Sequence, residues 1–335
     1  AQKGTITVEK NGEVFFGVSV IGGVDESGNE LPTIYRPQYE KRGLPGAVYE
    51  IIAAEDIITQ DGTVRNQKGE VVDTVTTDET GTAVSRELYL GKYEVREITA
   101  PHGMVLNPEP HYVELVYAGQ NVAVTETATS FENERQKVEI SLVKSIEQNE
   151  HFGIGTNGEM KNISFGLFAA EEIVSASGTS IPASGLVEII SLNEDGTATV
   201  KTDLPFGSYY VQELATDSHY KHSDTFAYVG QDTAVVKIAA NDGKAIENDL
   251  IYGSVSGKKV DENGSALGGA LIGLFRTDDG EFTKENALLT ATSAEDGSFS
   301  FENIPYGTWY VREIEQPAGF VLDDTIYTVT IGADG

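Results

Sequence analysis

The stretch Leu90-Gly91-Lys92-Tyr93-Glu94-Val95-Arg96-Glu97 decides the fold, because it returns twice further along the chain. Its second copy is Pro205-Phe206-Gly207-Ser208-Tyr209-Tyr210-Val211-Gln212-Glu213, and its third is Pro305-Tyr306-Gly307-Thr308-Trp309-Tyr310-Val311-Arg312-Glu313. An acidic turn precedes each copy: Asp78-Glu79-Thr80-Gly81, Asn193-Glu194-Asp195-Gly196 and Ala294-Glu295-Asp296-Gly297. From turn glycine to strand glycine the spacing is 10, 11 and 10 residues, so one hairpin recurs three times. Within it the apolar residues alternate, the period of a strand with one buried face.

Outward from these hairpins the pattern persists. Ile6 and Val8 alternate in the same way, Asp61-Gly62, Asn263-Gly264 and Asp279-Gly280 mark tight turns, and no long amphipathic helix intervenes. The class is all-β, and a chain of 335 residues is too long for one ordinary core. The repeat divides it into three tandem β-sandwich modules at 1–135, 136–249 and 250–335, the first with insertions around Gly22 to Gly43 and Asp56 to Val72. Only 11 residues separate the end of one module from the matching lysine of the next, which predicts an elongated rod with little hinge.

With 53 acidic and 23 basic residues the formal net charge is −30, which opposes nucleic-acid and anionic-membrane partners. There is no cysteine, so disulfides and thiolate metal sites are excluded and a small β domain must be stapled in some other way. No apolar run approaches the roughly 20 residues that span a bilayer. The start Ala1-Gln2-Lys3-Gly4 lacks a signal-peptide core, as expected of a mature segment.

Each module opens with a strand whose apolar face carries a lysine: Ile6, Val8 and Lys10; Ile140, Leu142 and Lys144; Val255, Gly257 and Lys259. Residues two apart share a face, so these lysines point into the core. The hairpin glutamates Glu97, Glu213 and Glu313 are in phase with Tyr93 and Val95, Tyr209 and Val211, and Trp309 and Val311. The first two modules end with Phe131-Glu132-Asn133 and Ile246-Glu247-Asn248, which turn an asparagine to the same side. Glutamate and asparagine lie 36 and 35 residues apart, and asparagine and the next lysine 11 in both cases, although the module interiors differ in length.

Burial disfavours charge, so a neutral amine and a protonated acid can coexist in an apolar interior. The amine is then a nucleophile toward the asparagine carboxamide, and the acid can polarise the carbonyl and pass a proton to departing ammonia. The spacing therefore predicts Lys-Asn isopeptide bonds between Lys10 and Asn133 and between Lys144 and Asn248, promoted by Glu97 and Glu213. Proximity supplies the rate, since oriented groups reach effective molarities of roughly 10⁵ to 10⁸ M.

These residues resemble the Cna B-type domains of Gram-positive surface proteins, the modules of collagen-adhesin stalks and sortase-assembled pilins. The resemblance rests on Leu44-Pro45-Gly46-Ala47-Val48-Tyr49-Glu50, on Leu267-Gly268-Gly269-Ala270, and on the stretch from Tyr310 to Phe320 with its relative from Glu97 to Gly103. It implies Ig-like sandwiches with an isopeptide between first and last strands, catalysed by a buried acid, which again selects Lys10, Glu97, Asn133 and Lys144, Glu213, Asn248. It further implies an extracellular stalk or pilus segment of a bacterial cell-surface adhesin, anchored to the cell wall through another region. Its partners would be sortase-linked pilins or the wall, and a host surface or matrix ligand met through the insertions of the first module.

The third module departs from the pattern, since its asparagine would fall at 348 or 349, past Gly335. Lys259 and Glu313 are therefore expected to be close but unbonded. The second module reads Ala215-Thr216-Asp217-Ser218-His219 where the Pro-x-Gly segment should follow its glutamate. No Leu-Pro-x-Thr-Gly sorting signal occurs, and Tyr35 to Lys41 resembles a pilin lysine motif only in composition.

An enzyme acting on an external substrate would need a constellation that is missing: His219-Tyr220-Lys221-His222 lacks the glutamate and helix of a zinc protease. No cofactor or metal is expected. The alternative reading is a carbohydrate- or Ca²⁺-binding module, through the oxygen-rich runs Asp25 to Glu30 and Asp261 to Gly264. Neither run follows EF-hand spacing, and such runs usually form solvated turns.

Overall fold

The computed structural model describes residues 1–225, 227–229 and 236–335. Three apolar cores succeed one another along it, each enclosed by two sheets. In the first unit the opening strand Lys3–Val24 pairs in parallel with the closing strand Val124–Asn133, from Lys3 opposite Val124 to Gly12 opposite Asn133. Thr82–Val84 and Leu88–Tyr89 add to it in antiparallel fashion. The facing sheet runs His111–Leu115, Gly91–Thr99, Val48–Ala53 and Val71–Thr76. The alternation expected from sequence is the one observed: Ile6, Val8, Tyr49, Ile51, Tyr93, Val95 and Phe131 are all buried between the sheets.

The second unit repeats this plan. Its opening strand Val138–Ile146 pairs in parallel with Val236–Ala239 and with the closing strand Ile246–Asn248, and antiparallel to Thr197–Thr199. Facing it are Leu186–Ser191, Ser164–Ala169, Tyr209–Ala215 and Ala227–Val229. In the third unit the opening strand Tyr252–Lys258 pairs with Ser298–Pro305. Its facing sheet is Leu289–Thr292, Leu271–Phe275, Gly307–Glu315 and Tyr327–Ile331. The all-β tandem-sandwich architecture read from the sequence is thus the architecture of the protein.

The insertion expected around Gly22 to Gly43 begins earlier and does more than lengthen a loop. Past Gly12 the opening strand leaves its parallel partner and pairs with Glu30–Gly43 as a long antiparallel arm. Phe15, Val18 and Tyr35 of this arm pack on the core of the second unit. Backbone bonds from Ala176 N–H to Phe15 O (3.0 Å) and from Ser177 N–H to Phe16 O (3.0 Å) stitch the arm to that unit. At its root Arg135 stacks on Tyr39, with its guanidinium 3.7 Å from the ring centroid. The same guanidinium pairs with Asp203 (2.6 Å) and donates to Leu204 O (3.2 Å).

The junction between the second and third units is also packed. Phe152, Ile154, Tyr220 and Leu250 belong to the same apolar cluster as Ile272, Leu274, Phe301 and Trp309. Phe152 meets Trp309 edge to face with ring centroids 5.2 Å apart, and Arg276 donates to Phe152 O at 2.8 Å. Side chains from the second unit therefore complete the core of the third.

Candidate functional site

Both opening strands deliver their lysine to the interior by strand period. Lys10 follows Ile6 and Val8 on the buried face, and Lys144 follows Ile140 and Leu142; neither ammonium group is exposed. The acid strand brings its glutamate from the opposite sheet. Glu97 lies beyond Tyr93 and Val95 opposite Tyr49, and Glu213 lies beyond Tyr209 and Val211 opposite Phe165. The closing strand supplies the asparagine, two residues past the pairing of Lys10 with Phe131 and of Lys144 with Ile246 and so on the same face. Three strands from two sheets thus converge on one point.

In the first unit Lys10 Nζ lies 3.1 Å from Glu97 Oε1 and against Asn133 Oδ1, and Asn133 Nδ2 donates to Glu97 Oε1 at 2.9 Å. In the second unit Lys144 Nζ is 2.5 Å from Asn248 Oδ1 and 3.5 Å from Glu213 Oε2, and it also donates to Ile246 O at 2.9 Å. Asn248 Nδ2 donates to both Glu213 oxygens (3.1 and 3.0 Å) and to Thr216 Oγ1 (2.9 Å). The six side chains singled out by spacing form two closed triads.

Burial pushes the Lys10 amine below the ordinary lysine range, against the opposing pull of Glu97. Lys144 is displaced in the same direction by burial, against Glu213. The first site is walled by aromatic rings: Lys10 Nζ is 5.7 Å from the centroid of Tyr49 and 5.6 Å from that of Phe131. His111 stacks on Phe131 at 3.7 Å and hydrogen-bonds Thr129 Oγ1 at 2.8 Å. A buried amine whose charge is disfavoured, set against a carboxamide with a carboxyl group beside both, has the parts that acyl transfer at the amide carbon requires.

The third unit assembles only part of this arrangement. Lys259 Nζ lies 3.5 Å from Glu313 Oε1 and 3.9 Å from Asp323 Oδ2, and its side chain stays 15 % exposed. Lys259 sits one residue past the end of its strand at Lys258. It borders an open groove of about 380 Å³ between the Tyr252–Lys258 and Tyr327–Ile331 strands.

Two features of the sites were hidden in the sequence. The first is the purpose of the repeated turn glycine. Gly81, Gly196 and Gly297 all have positive φ (79°, 83° and 79°) and accept the backbone N–H of Lys10, Lys144 and Lys259 at 2.7, 2.8 and 2.7 Å. The turn seats the lysine backbone so closely that a Cβ on Gly196 would lie 2.0 Å from Lys144 O. Gly196→Ala is expected to destabilise the second unit by more than the ~1 kcal/mol of an unstrained Gly/Ala change. It should also slow any chemistry at Lys144, and calorimetry showing an unchanged second-unit transition would refute this. The turn spacing was the signal; what the turn rests on was not in it. The second feature is a backbone donor to each glutamate: Asn107 N–H to Glu97 Oε2, Ser223 N–H to Glu213 Oε1 and Asp323 N–H to Glu313 Oε2.

The oxygen-rich runs have local duties. Asp25 accepts from the N–H groups of Ser27 and Asn29, and Asp261 from those of Asn263 and Ser265. No helix is long and apolar enough to cross a membrane among the described residues.

Comparison with known proteins places this architecture. No curated protein matches the chain in sequence. Among solved structures the chain is similar to the Bacillus anthracis TIE protein, with a TM-score of 0.65 and 19 % identity over 100 % of this chain and 49 % of the other. It therefore spans about half the length of that relative while sharing its fold. Weaker similarities are to BcpA, the major pilin subunit of Bacillus cereus, and to the major pilin SpaD from Corynebacterium diphtheriae. For BcpA the TM-score is 0.41 and the identity 15 %, over 99 % of this chain and 96 % of the other. For SpaD they are 0.27 and 15 %, over 98 % and 91 %. The SpaA domain, described as a prealbumin-like fold domain, matches residues 37–130 and 253–335, more than half of the chain. This family match bears out the resemblance to Cna B-type, pilin-like domains read from the sequence, and the chain belongs to the SpaA family of prealbumin-like fold domains.

Proposed function

We propose that this chain is a structural stalk or pilus segment of a Gram-positive cell-surface adhesin whose first two units cross-link themselves through Lys-Asn isopeptide bonds. The observation that carries this reading is the pair of closed, fully buried triads, Lys10 with Glu97 and Asn133, and Lys144 with Glu213 and Asn248. Isolated, such groups are costly to bury, and an ordinary fold would gain by replacing them with apolar residues. Their recurrence on the same three strands of successive units points to chemistry that needs them.

In that chemistry Nζ of the neutral lysine attacks Cγ of the asparagine. The Nζ–Cγ bond forms and the Cγ–Nδ2 bond breaks, while the glutamic acid hydrogen-bonds the carboxamide and relays one lysine proton to the leaving nitrogen. One ammonia departs from each site, no oxidant or cofactor is consumed, and the glutamic acid is regenerated. The protein would act once per unit on itself and on no external substrate.

Three units in series, with boundaries near 135 and 249, would give the segment its reach. The arm from the first unit and the shared core at the second junction oppose bending between them. An extracellular location and association with other pilins or with the cell wall follow from this reading. Intact-mass measurement of the denatured chain should show the loss of two ammonia molecules from the sequence mass. A mass equal to that of the unmodified sequence would end the cross-linking proposal.

A further inference from the structure

Each glutamate divides its two oxygens in the same way. In the first unit Glu97 Oε1 faces Lys10 (3.1 Å) and Asn133 Nδ2 (2.9 Å), while Oε2 accepts the backbone N–H of Asn107 at 2.7 Å. In the second, Glu213 Oε2 faces Lys144 (3.5 Å) and Oε1 accepts Ser223 N–H at 2.9 Å, with Asn248 Nδ2 lying between the two oxygens. In the third, Glu313 Oε2 accepts Asp323 N–H at 2.6 Å, and the buried Oε1 faces Lys259 at 3.5 Å without a hydrogen bond.

The donor lies ten residues past the glutamate in all three units. It also opens a side-chain-capped turn each time. Asn107 Oδ1 accepts Glu109 N–H (3.1 Å), Ser223 Oγ accepts Thr225 N–H (3.3 Å), and Asp323 Oδ1 accepts Thr325 N–H (3.0 Å). Asn, Ser and Asp share little except a side-chain oxygen acceptor one or two carbons beyond Cα, short enough to reach the N–H two residues on, which is what such a turn requires.

We infer that the residue ten past each glutamate, Asn107 in the first unit and Ser223 in the second, is the positioning residue of the cross-linking acid. Its N–H anchors one carboxyl oxygen, so the other, the one that must carry and transfer the proton, points at the lysine and the carboxamide. A carboxyl group on a glutamate has a rotatable final bond; anchoring one oxygen removes that rotation before the reaction begins. The side-chain cap holds the turn, and through it the N–H. This assignment rests on the cross-linking reading above.

The test follows the full 335-residue chain from synthesis, by cell-free translation with timed quenching, digestion and quantification of the cross-linked peptide from each unit. An ester in place of the amide between residues 106 and 107 deletes only the N–H. The first unit should then cross-link roughly tenfold or more slowly, as for a reacting group freed from its productive orientation. The second unit, in the same chain, should keep its rate. Asn107→Ala, which removes the cap, should slow the first unit in the same direction, and Asn107→Asp, which retains the acceptor, should restore it. Melting of the ester chain carrying Lys10→Ala establishes that it is folded at the reaction temperature. A folded ester chain whose first unit cross-links at the unaltered rate overturns the positioning role and leaves the cross-linking reading intact. Equal slowing by Asn107→Ala and Asn107→Asp would also count against it. Absence of cross-linked peptide from both units of the unaltered chain would instead remove the reading on which it depends.

Discussion

Glu97→Gln should leave Lys10 and Asn133 unjoined while Lys144 and Asn248 still cross-link, so that the chain loses one ammonia instead of two. Glutamine fills the same volume and still offers a carbonyl oxygen to the N–H of Asn107, but it has no transferable acidic proton. The change therefore separates the chemistry from the packing. The stability consequence is large. Lys10 and Asn133 are 123 positions apart, and closing a loop of that size stabilises by about 4–5 kcal/mol in the chain-entropy account developed for disulfides. The first unit of the variant should melt and digest ahead of the second. If calorimetry and limited proteolysis find the two variants Glu97→Gln and Glu213→Gln as resistant as the parent, the covalent staple is not what stabilises these units.

Phe152→Ala is expected to unfold the third unit rather than the second, to which residue 152 belongs in sequence. Its ring is 4 % exposed, lies edge to face on Trp309, and forms part of the third core together with Ile154, Tyr220 and Leu250. Removing a buried phenylalanine ring typically costs about 3–5 kcal/mol. Among the described residues, Lys259 and Glu313 close no triad that would offset the loss. Hydrogen exchange resolved by peptide should show protection falling across the Leu271–Phe275 and Gly307–Glu315 strands. Loss confined to residues around 152 would contradict the shared core.

The parts of the molecule that were legible in its sequence are those governed by strand period. Lys10, Glu97 and Asn133 each stand two residues from an apolar neighbour, and period two alone puts them on the buried face. Spacing that stays constant while module interiors change length then groups them. The parts that were not legible depend on contacts without a period. The run Val14-Phe15-Phe16-Gly17-Val18 reads as an ordinary strand, and nothing in it reveals that Phe15 and Val18 rest on the next unit. Phe152 lies in a turn-rich segment, and its partner Trp309 is far away in the chain, so no local pattern links them. The anchoring donors at Asn107 and Ser223 escape for a different reason: every residue but proline carries a backbone N–H, and only the turn's geometry tells which one meets an acid.

The parallel register of the first and last strands has a mechanical meaning. The first unit's chain enters at Lys3, opposite Val124, and leaves past Asn133, opposite Gly12, so its two ends lie at opposite ends of one ladder. Were Lys10 joined to Asn133 and Lys144 to Asn248, as proposed, a pull on the chain would pass along residues 1–10, across a side-chain amide, along 133–144, and across the next amide. The residues enclosed by each loop would then carry no tension. Under force such a segment would gain almost no length from its first two sandwiches.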